Sequence, residues 1–225
     1  MSAAPLRVWR SHGEALLRLR LARPKANILD AAMLAALDAA LSAELGQGAP
    51  LAVLIDAEGP HFSFGASVEE HLPDACAAML RGFHALLLRL LAAPVPVLFA
   101  VRGQCLGGAL ELALTGTRIF AAPEAMFGQP EIRLGVFAPA ASCLLPERIG
   151  QPAAEARIEL GDELRGWQRD EAGWLTTDHH RDSFASEPAQ RLVDLRLGDA
   201  RHVRQRVARH RLRAEKTDVR ASFVL

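Results

Sequence analysis

Hydrophobic and polar residues alternate near the start of the chain. From Ala15 to Ala22, Leu17, Leu19 and Leu21 alternate with Arg18 and Arg20, a pattern that predicts a half-buried strand. The segment LRVWRS precedes it across HGE, so the two segments predict a hairpin. Asp30 is suited to cap a helix through AAMLAALDAALSAEL, which is predicted to end near the glycines at 46 and 48.

Longer apolar runs then alternate with helical patterns. LAVLID (Leu51–Asp56) and VPVLFAVRG (Val95–Gly103) are continuous rather than alternating, which is typical of strands buried on both faces. Pro73 opens a helix predicted to reach about Leu91, LGGALELAL predicts a second helix, and RIFAAP predicts a short strand. This alternation predicts an α/β fold with a largely parallel sheet.

Composition and charge narrow the classes of function. Half of the residues are hydrophobic and the formal net charge is zero, so no overall field attracts nucleic acid or an anionic membrane. The three cysteines lack CxxC spacing, which favours reduced thiols and no metal site. The N-terminus has no signal-peptide pattern, and the apolar run from Leu86 to Val101 is too broken to span a bilayer. We expect a soluble, cytoplasmic protein without nucleic-acid, membrane or metal partners.

The composition changes near residue 155. Thirteen of the 24 arginines lie in residues 151–225. We therefore predict a core domain at residues 1–155 and a divergent, arginine-rich C-terminal segment at residues 156–225. One interpretation of this segment is a solvated basic helix; a nucleic-acid-binding tail is less favoured, because no recognised binding fold accompanies the charge.

The stretch VRGQCLGGALEL places one carboxylate, Glu111, in an apolar helix. A helix that begins near Gly107 presents unpaired amides at its N-terminus, and Gly108 leaves that backbone open to a ligand. Such an amide can stabilise a developing oxyanion, with Glu111 about one turn away. The alternative, which this motif alone favours, is a tight turn with a partly exposed glutamate near a helix start. The glycine spacing matches no nucleotide-binding motif.

Two further segments contain candidate site residues. GPHFSFGASVEEHL follows the strand LAVLID, at an edge where α/β proteins bind ligands, and its Gly65-Ala66 pair offers another backbone amide. In FGQPEIRLGVFAPAAS, Glu131 follows a proline. Paired with Glu111 in an apolar cavity, it would form a general acid and base, with at least one raised pKa. The alternatives are an ordinary loop and a surface glutamate beside a proline turn.

Taken together, these segments resemble the crotonase superfamily, the enoyl-CoA hydratase/isomerase fold. The resemblance runs from about Leu17 to about Ala154 and rests on RPKANILD, HFSFGASVEE, VRGQCLGGALELAL and MFGQPEIRLGVF, in that order. It implies a crotonase-like ββα superhelix with a parallel sheet, followed by an atypical, helical C-terminal segment. It also implies a coenzyme A thioester substrate and no metal or redox cofactor, since coenzyme A is part of the substrate.

The resemblance also assigns roles to individual residues. The amides of Ala66 and Gly108 would form an oxyanion hole around the thioester carbonyl. Glu111 and Glu131 would activate water and deliver a proton, with the order of their roles left open. The residues expected to contact the substrate or its coenzyme A are Arg23, Lys25, Ala26, Asn27, Phe64, Gly65, Ser67, Val68, Glu69 and Gly107.

One segment favours a particular substrate. QPEIRLGVFAPAASCLLPERIG reads APAAS where general enoyl-CoA hydratases carry a glycine-rich segment, whereas Phe64, in place of the usual small alanine, is a departure from the family that would narrow or reshape the acyl pocket. The implied reaction is hydration of cyclohexa-1,5-diene-1-carbonyl-CoA to 6-hydroxycyclohex-1-ene-1-carbonyl-CoA, a step of anaerobic benzoyl-CoA degradation. The alternatives are a general enoyl-CoA hydratase/isomerase and an inactive relative with an altered C-terminus, because the chain from Arg157 onward barely matches the family. A homotrimer or a dimer of trimers is expected if the C-terminus permits.

Overall fold

Two β-sheets and five α-helices occur in the part of the chain that the computed structural model describes, residues 4–46, 48, 50–160 and 164–165. The strands are β1 (Leu6–Ser11), β2 (Leu16–Leu21), β3 (Ala52–Ala57), β4 (Val97–Val101), β5 (Gln104–Leu106), β6 (Arg118–Ala121), β7 (Met126–Gly128) and β8 (Leu164–Arg165). The helices are α1 (Ala31–Glu44), α2 (Pro73–Leu91), α3 (Gly108–Leu114), α4 (Pro139–Ile149) and α5 (Gln151–Leu160). Short 3-10 turns lie at Glu69–His71 and Pro130–Leu134.

The larger sheet has the strand order β1-β2-β3-β4-β6. β1 and β2 form the predicted antiparallel hairpin, and β2, β3, β4 and β6 pair in parallel. Leu17, Leu19 and Leu21 are fully buried, as their alternation predicts, but Leu16 and Arg18 are buried too, so the prediction that β2 is only half-buried is wrong. Arg18 is buried because it pairs with Asp56 on the neighbouring strand β3. The α/β class and the parallel sheet are therefore confirmed.

Helices α1 and α2 supply much of the core on one face of this sheet. Asp30 caps α1 as predicted, since its carboxylate accepts a hydrogen bond from the Met33 amide at 2.9 Å. Behind the cap, Leu37 and Leu41 lie on the buried side of α1. Each fully buried leucine side chain contributes about 2 kcal/mol to folding.

The smaller sheet was not predicted from the sequence. The predicted strand at residues 95–103 is shorter, because the backbone turns at Gly103 (φ 53°) after β4. The chain then forms β5, which pairs in parallel with β7; β8 adds an antiparallel strand on the other side of β7. These strands have two or three residues each, too few to show a period in the sequence.

The C-terminal prediction falls mostly outside the described residues. The boundary proposed at residue 155 lies within α5, and beyond that helix only residues 164–165 are described. The boundary and the helical character of residues 156–225 therefore stay predictions. Of the helices that the structure describes, none is long and apolar enough to cross a membrane.

Candidate active site

The parallel pair β5 and β7 brings the two predicted glutamates together. Leu106 lies opposite Gly128, and the Gly107 amide donates to the Gly128 carbonyl at 2.9 Å. β5 leads into α3, which carries Glu111, and β7 leads into the 3-10 turn that carries Glu131. Since the two strands run side by side in the same direction, the segments that follow them start at the same edge.

Gly107 makes room for the carboxylate of Glu131. Its backbone has φ 54° and ψ −128°, a conformation that favours glycine. A Cβ atom built on Gly107 would lie 2.6 Å from Glu131 Oε1. The Glu131 carboxylate therefore lies against the peptide at the start of α3, a position that any side chain at residue 107 would obstruct.

Glu111 is a buried carboxyl group. It is 5% exposed, and its Oε1 accepts a hydrogen bond from the Ala141 amide at 2.8 Å. Burial raises the pKa of Glu111 to about 7; the amides of Ala141 and Ala140 oppose this rise, while the nearby charge of Glu131 adds to it. The alternative of a partly exposed glutamate is thus wrong, and Glu111 titrates near neutral pH.

The amides that hold Glu111 come from the first turn of α4. Pro139 opens this helix, and the next two residues point unpaired N–H groups at the Glu111 carboxylate. Sequence reasoning missed this contact. Proline at the first position of a helix was the available signal, but the 30 residues between Glu111 and Ala141 gave no reason to connect them.

Glu131 lies in a more open position than Glu111. Burial also raises its pKa; its own backbone amide and the charge of His71 act in the opposite direction. The two glutamates therefore form a coupled pair of carboxyl groups, one enclosed and one partly accessible, beside the start of α3.

Two backbone segments meet beside this pair. A Cβ atom built on Gly108 would lie 3.4 Å from the Ala66 nitrogen, and one built on Gly65 (φ 97°) would lie 3.4 Å from the Gly108 nitrogen. Gly108 is the first residue of α3, so its amide has no acceptor within the helix. The two amides predicted for an oxyanion hole are thus close together.

The buried side chain of Asn27 holds the RPKAN segment in place. The Asn27 side chain is fully buried, and the backbone of this residue has φ 45°. Its Oδ1 accepts from the Arg23 amide at 2.9 Å, and its Nδ2 donates to the carbonyls of Glu58 at 2.9 Å and His61 at 3.2 Å. This side chain joins the loops at the carboxyl ends of β2 and β3. Because it is fully buried, it does not face a ligand.

The other predicted residues of that segment differ in accessibility. Arg23 forms an ion pair with Asp30, the N-cap of α1, and also donates to the Ile28 carbonyl at 3.1 Å. Its guanidinium group is therefore bound to the segment that leads into α1. Lys25 is exposed. The Ala26 carbonyl accepts from the Phe64 amide at 2.9 Å, which ties the segment to the loop that follows β3. Of the two charged side chains in this segment, Arg23 is paired with Asp30, whereas Lys25 is exposed and accessible to a ligand.

The loop after β3 carries apolar side chains towards solvent. Phe64 is 42% exposed, and its ring meets His61 edge-on at 5.0 Å; Val68 is 73% exposed. The Ser67 carbonyl lies 2.7 Å from His71 Nδ1, and Glu69 starts the exposed 3-10 turn. In the described residues no group of three acidic, histidine or cysteine side chains is placed to hold a metal ion.

Comparison with known proteins identifies the relatives of this chain. Residues 11–221 match the enoyl-CoA hydratase/isomerase family model. Over 165 residues the chain is 62% identical to the cyclohexa-1,5-dienecarbonyl-CoA hydratase of Thauera aromatica. This match covers 73% of the present chain and 64% of the Thauera enzyme.

Solved structures show the same fold. An enoyl-CoA hydratase/carnithine racemase from Magnetospirillum magneticum superposes with a TM-score of 0.81 at 23% identity, covering 96% of this chain and 83% of that one. An enoyl-CoA hydratase from Thermoplasma volcanium has a TM-score of 0.67 at 25% identity, covering 72% and 66% of the two chains. The crotonase-like fold predicted from the sequence is confirmed.

Proposed function

The chain belongs to the enoyl-CoA hydratase/isomerase family, and on that premise we propose that it hydrates cyclohexa-1,5-diene-1-carbonyl-CoA to 6-hydroxycyclohex-1-ene-1-carbonyl-CoA. The observation that carries the proposal is the adjacent pair Glu111 and Glu131, both with raised pKa values, at the start of α3. The identity to the Thauera enzyme supports this substrate over other acyl groups.

In the proposed reaction the thioester carbonyl lies between the amides of Ala66 and Gly108. As water attacks the carbon β to that carbonyl, negative charge moves onto the thioester oxygen and forms a dienolate. Donors fixed in place stabilise this charge without reorganising, and each contributes about 3 kcal/mol to the transition state. The closeness of residues 65–66 to Gly108 supports this placement.

The two glutamates transfer the protons in the proposed reaction. The ionised partner takes a proton from water while the hydroxyl bonds to the ring, and the protonated partner gives a proton to the dienolate carbon. Like charges close together in a buried site disfavour double ionisation, so one proton is shared across the pair near neutral pH.

Other parts of the site would bind the rest of the substrate. Lys25 would pair with a phosphate of coenzyme A, and the exposed rings and methyl groups of Phe64 and Val68 would line its path. Coenzyme A enters as part of the substrate, and the scheme uses no further cofactor. We propose a homotrimer or a dimer of trimers as the assembly.

Comparing two substrates tests the proposal. Hydration is followed by absorbance with cyclohexa-1,5-diene-1-carbonyl-CoA and, separately, with crotonyl-CoA. We expect a kcat/KM at least about 100-fold higher for the cyclic diene, since a pocket shaped for a ring discriminates by a few kcal/mol. A preference for crotonyl-CoA would establish a general enoyl-CoA hydratase instead. Binding of both thioesters without turnover would establish an inactive relative.

A further inference from the structure

Glu70 links the loop of the proposed oxyanion hole to the start of helix α1. The Ala31 amide, the first of that helix, donates to both oxygens of the Glu70 carboxylate, at 3.1 Å each. Glu70 belongs to the 3-10 turn at residues 69–71 and follows Ala66 by four residues. The proposed reaction uses the Ala66 amide but gives no role to Glu70.

The same loop has a second attachment to the segment before α1. The Leu29 amide donates to the Gly65 carbonyl at 2.9 Å, and Leu29 forms a parallel bridge with Ala66. Residues 66–70 therefore lie between two attachments, which both lead to the start of α1. Between them Val68 is 73% exposed, so its side chain adds little packing and the attachments matter more for the position of this stretch.

The N-terminus of α1 is suited to bind a carboxylate. Asp30 caps the helix, since its side chain accepts from the Met33 amide and its carbonyl accepts from the Leu34 amide, both at 2.9 Å. The Ala31 amide lies at the helix end, where N–H groups lack acceptors within the helix. The positive end of the helix dipole attracts a carboxylate, and an ionised acceptor strengthens the hydrogen bond. Glu70 thus completes the cap of α1 from a different part of the chain.

Two carboxylates meet at this helix start, and an arginine offsets their repulsion. Arg23 forms an ion pair with Asp30. The pKa of Arg23 is raised, chiefly by its hydrogen bonds to Asp30 and in smaller part by the charge of Glu70. One guanidinium group therefore attracts both carboxylates, and it joins the RPKAN segment to the same helix start.

We propose that Glu70 is a positioning residue that ties the loop carrying Ala66 to the start of α1 and so holds the Ala66 amide in place for the thioester oxygen. This inference rests on the proposed hydratase function and deepens it. A donor that is fixed before the reaction stabilises the developing charge without reorganising. A loop attached only through Gly65 would let that donor move.

Three substitutions at residue 70 separate reach from charge. Glu70→Met removes the acceptor, Glu70→Asp keeps the charge but shortens the side chain by a methylene group, and Glu70→Gln keeps the length with a neutral acceptor. We expect kcat/KM to fall about 10-fold in Glu70→Met and Glu70→Asp, because the donor is displaced by a fraction of an ångström. Glu70→Gln should stay within about threefold of wild type, since its amide oxygen still reaches the Ala31 amide.

Hydrogen exchange measures the tie without any substrate. The Ala31 amide and the amides of residues 66–72 should exchange about 10-fold faster in Glu70→Met and Glu70→Asp than in wild type, and at nearly the wild-type rate in Glu70→Gln. Glu44→Met is the matched control, because it removes a carboxylate at the opposite end of α1, where Glu44 pairs with Arg10 at 2.7 Å. This control should change neither the exchange of these amides nor kcat/KM.

Folding of each variant is checked by circular dichroism, and Glu70→Asp decides by the same measures if Glu70→Met does not fold. The proposal is overturned if the folded variant keeps wild-type exchange or wild-type kcat/KM, or if Glu70→Gln is no closer to wild type than Glu70→Met. If the wild-type protein does not hydrate the cyclic dienoyl-CoA, the proposed function is wrong, while hydrogen exchange still decides whether Glu70 ties the loop.

Discussion

At the residue scale, burial sets the chemistry of Glu111. A carboxyl group at this depth would lose most of its acidity, and the amides at the start of α4 restore part of it. The resulting pKa of about 7 allows both protonation states near neutral pH. A general acid or base works best with such a value. The sequence alone revealed the glutamate but neither its burial nor its hydrogen-bond donors.

The raised pKa of Glu111 makes the stability of the protein depend on pH. Unfolding restores the ordinary value of 4.5, below the folded value of about 7. As pH rises between these values, the unfolded chain ionises first, so the free energy of unfolding falls and then levels off above 7. The loss is roughly 3 kcal/mol. Glu111→Gln keeps an acceptor for the Ala141 amide and removes this dependence.

Urea denaturation at about pH 5 and about pH 8 measures this effect. Between the two conditions, the free energy of unfolding of Glu111→Gln is expected to rise relative to that of wild type by about 2.5 kcal/mol. A constant difference between wild type and variant at both pH values would show that Glu111 has an ordinary pKa in the folded protein.

Gly107 gives a second prediction at this scale. Gly107→Ala would place a methyl group against Glu131 Oε1 and displace the carboxylate. We expect kcat to fall about 100-fold, since a displacement near 1 Å has that cost. Gly13→Ala is the matched control, because Gly13 has a similar φ of 59° and no atom within 4 Å of the added carbon. Equal kcat values for the two variants would contradict the role assigned to Gly107.

At the element scale, the site depends on the three-residue strands β5 and β7 and on the start of α4. The long elements, β2 and α1–α2 among them, follow from periodicity and caps, because they bury enough side chains to show a pattern. β5, β7 and α4 were missed, although their placement brings Glu111 and Glu131 together. Three-residue strands have no readable period, and contacts across 20 or 30 residues leave no local signal.

The loops at the carboxyl ends of β2 and β3 give a prediction at this scale. Asn27→Gly fits the positive φ of residue 27 but removes three side-chain hydrogen bonds, two of which join the loop after β2 to the loop after β3. We expect the free energy of unfolding to fall by about 2–3 kcal/mol, since buried backbone groups lose their partners. KM for the thioester should rise as the RPKAN segment loosens. A variant as stable as wild type in urea would show that Asn27 does not anchor the segment.

At the scale of the whole molecule, the share of a relative that the chain covers differs between the comparisons. The chain spans 64% of the Thauera enzyme that it matches, yet it covers 83% of the Magnetospirillum structure on which it superposes. Val68, Leu72 and Phe137, on segments that neighbour the candidate site residues in sequence, are more than half exposed. Local patterns predicted the α/β class and singled out Glu111, Glu131 and the amides near Ala66 and Gly108. The family resemblance supplied the crotonase-like fold and a role for each of these residues.

The measurement that tests the account most directly is hydration of cyclohexa-1,5-diene-1-carbonyl-CoA by the full chain, beside Glu131→Gln and Glu111→Gln. We predict loss of the diene absorbance with wild type and a decrease in rate of at least about 100-fold in each variant. Thioester binding, followed by calorimetry, should persist in all three proteins. Hydration that continues unchanged in both glutamine variants would contradict the carboxylate pair as the centre of the reaction.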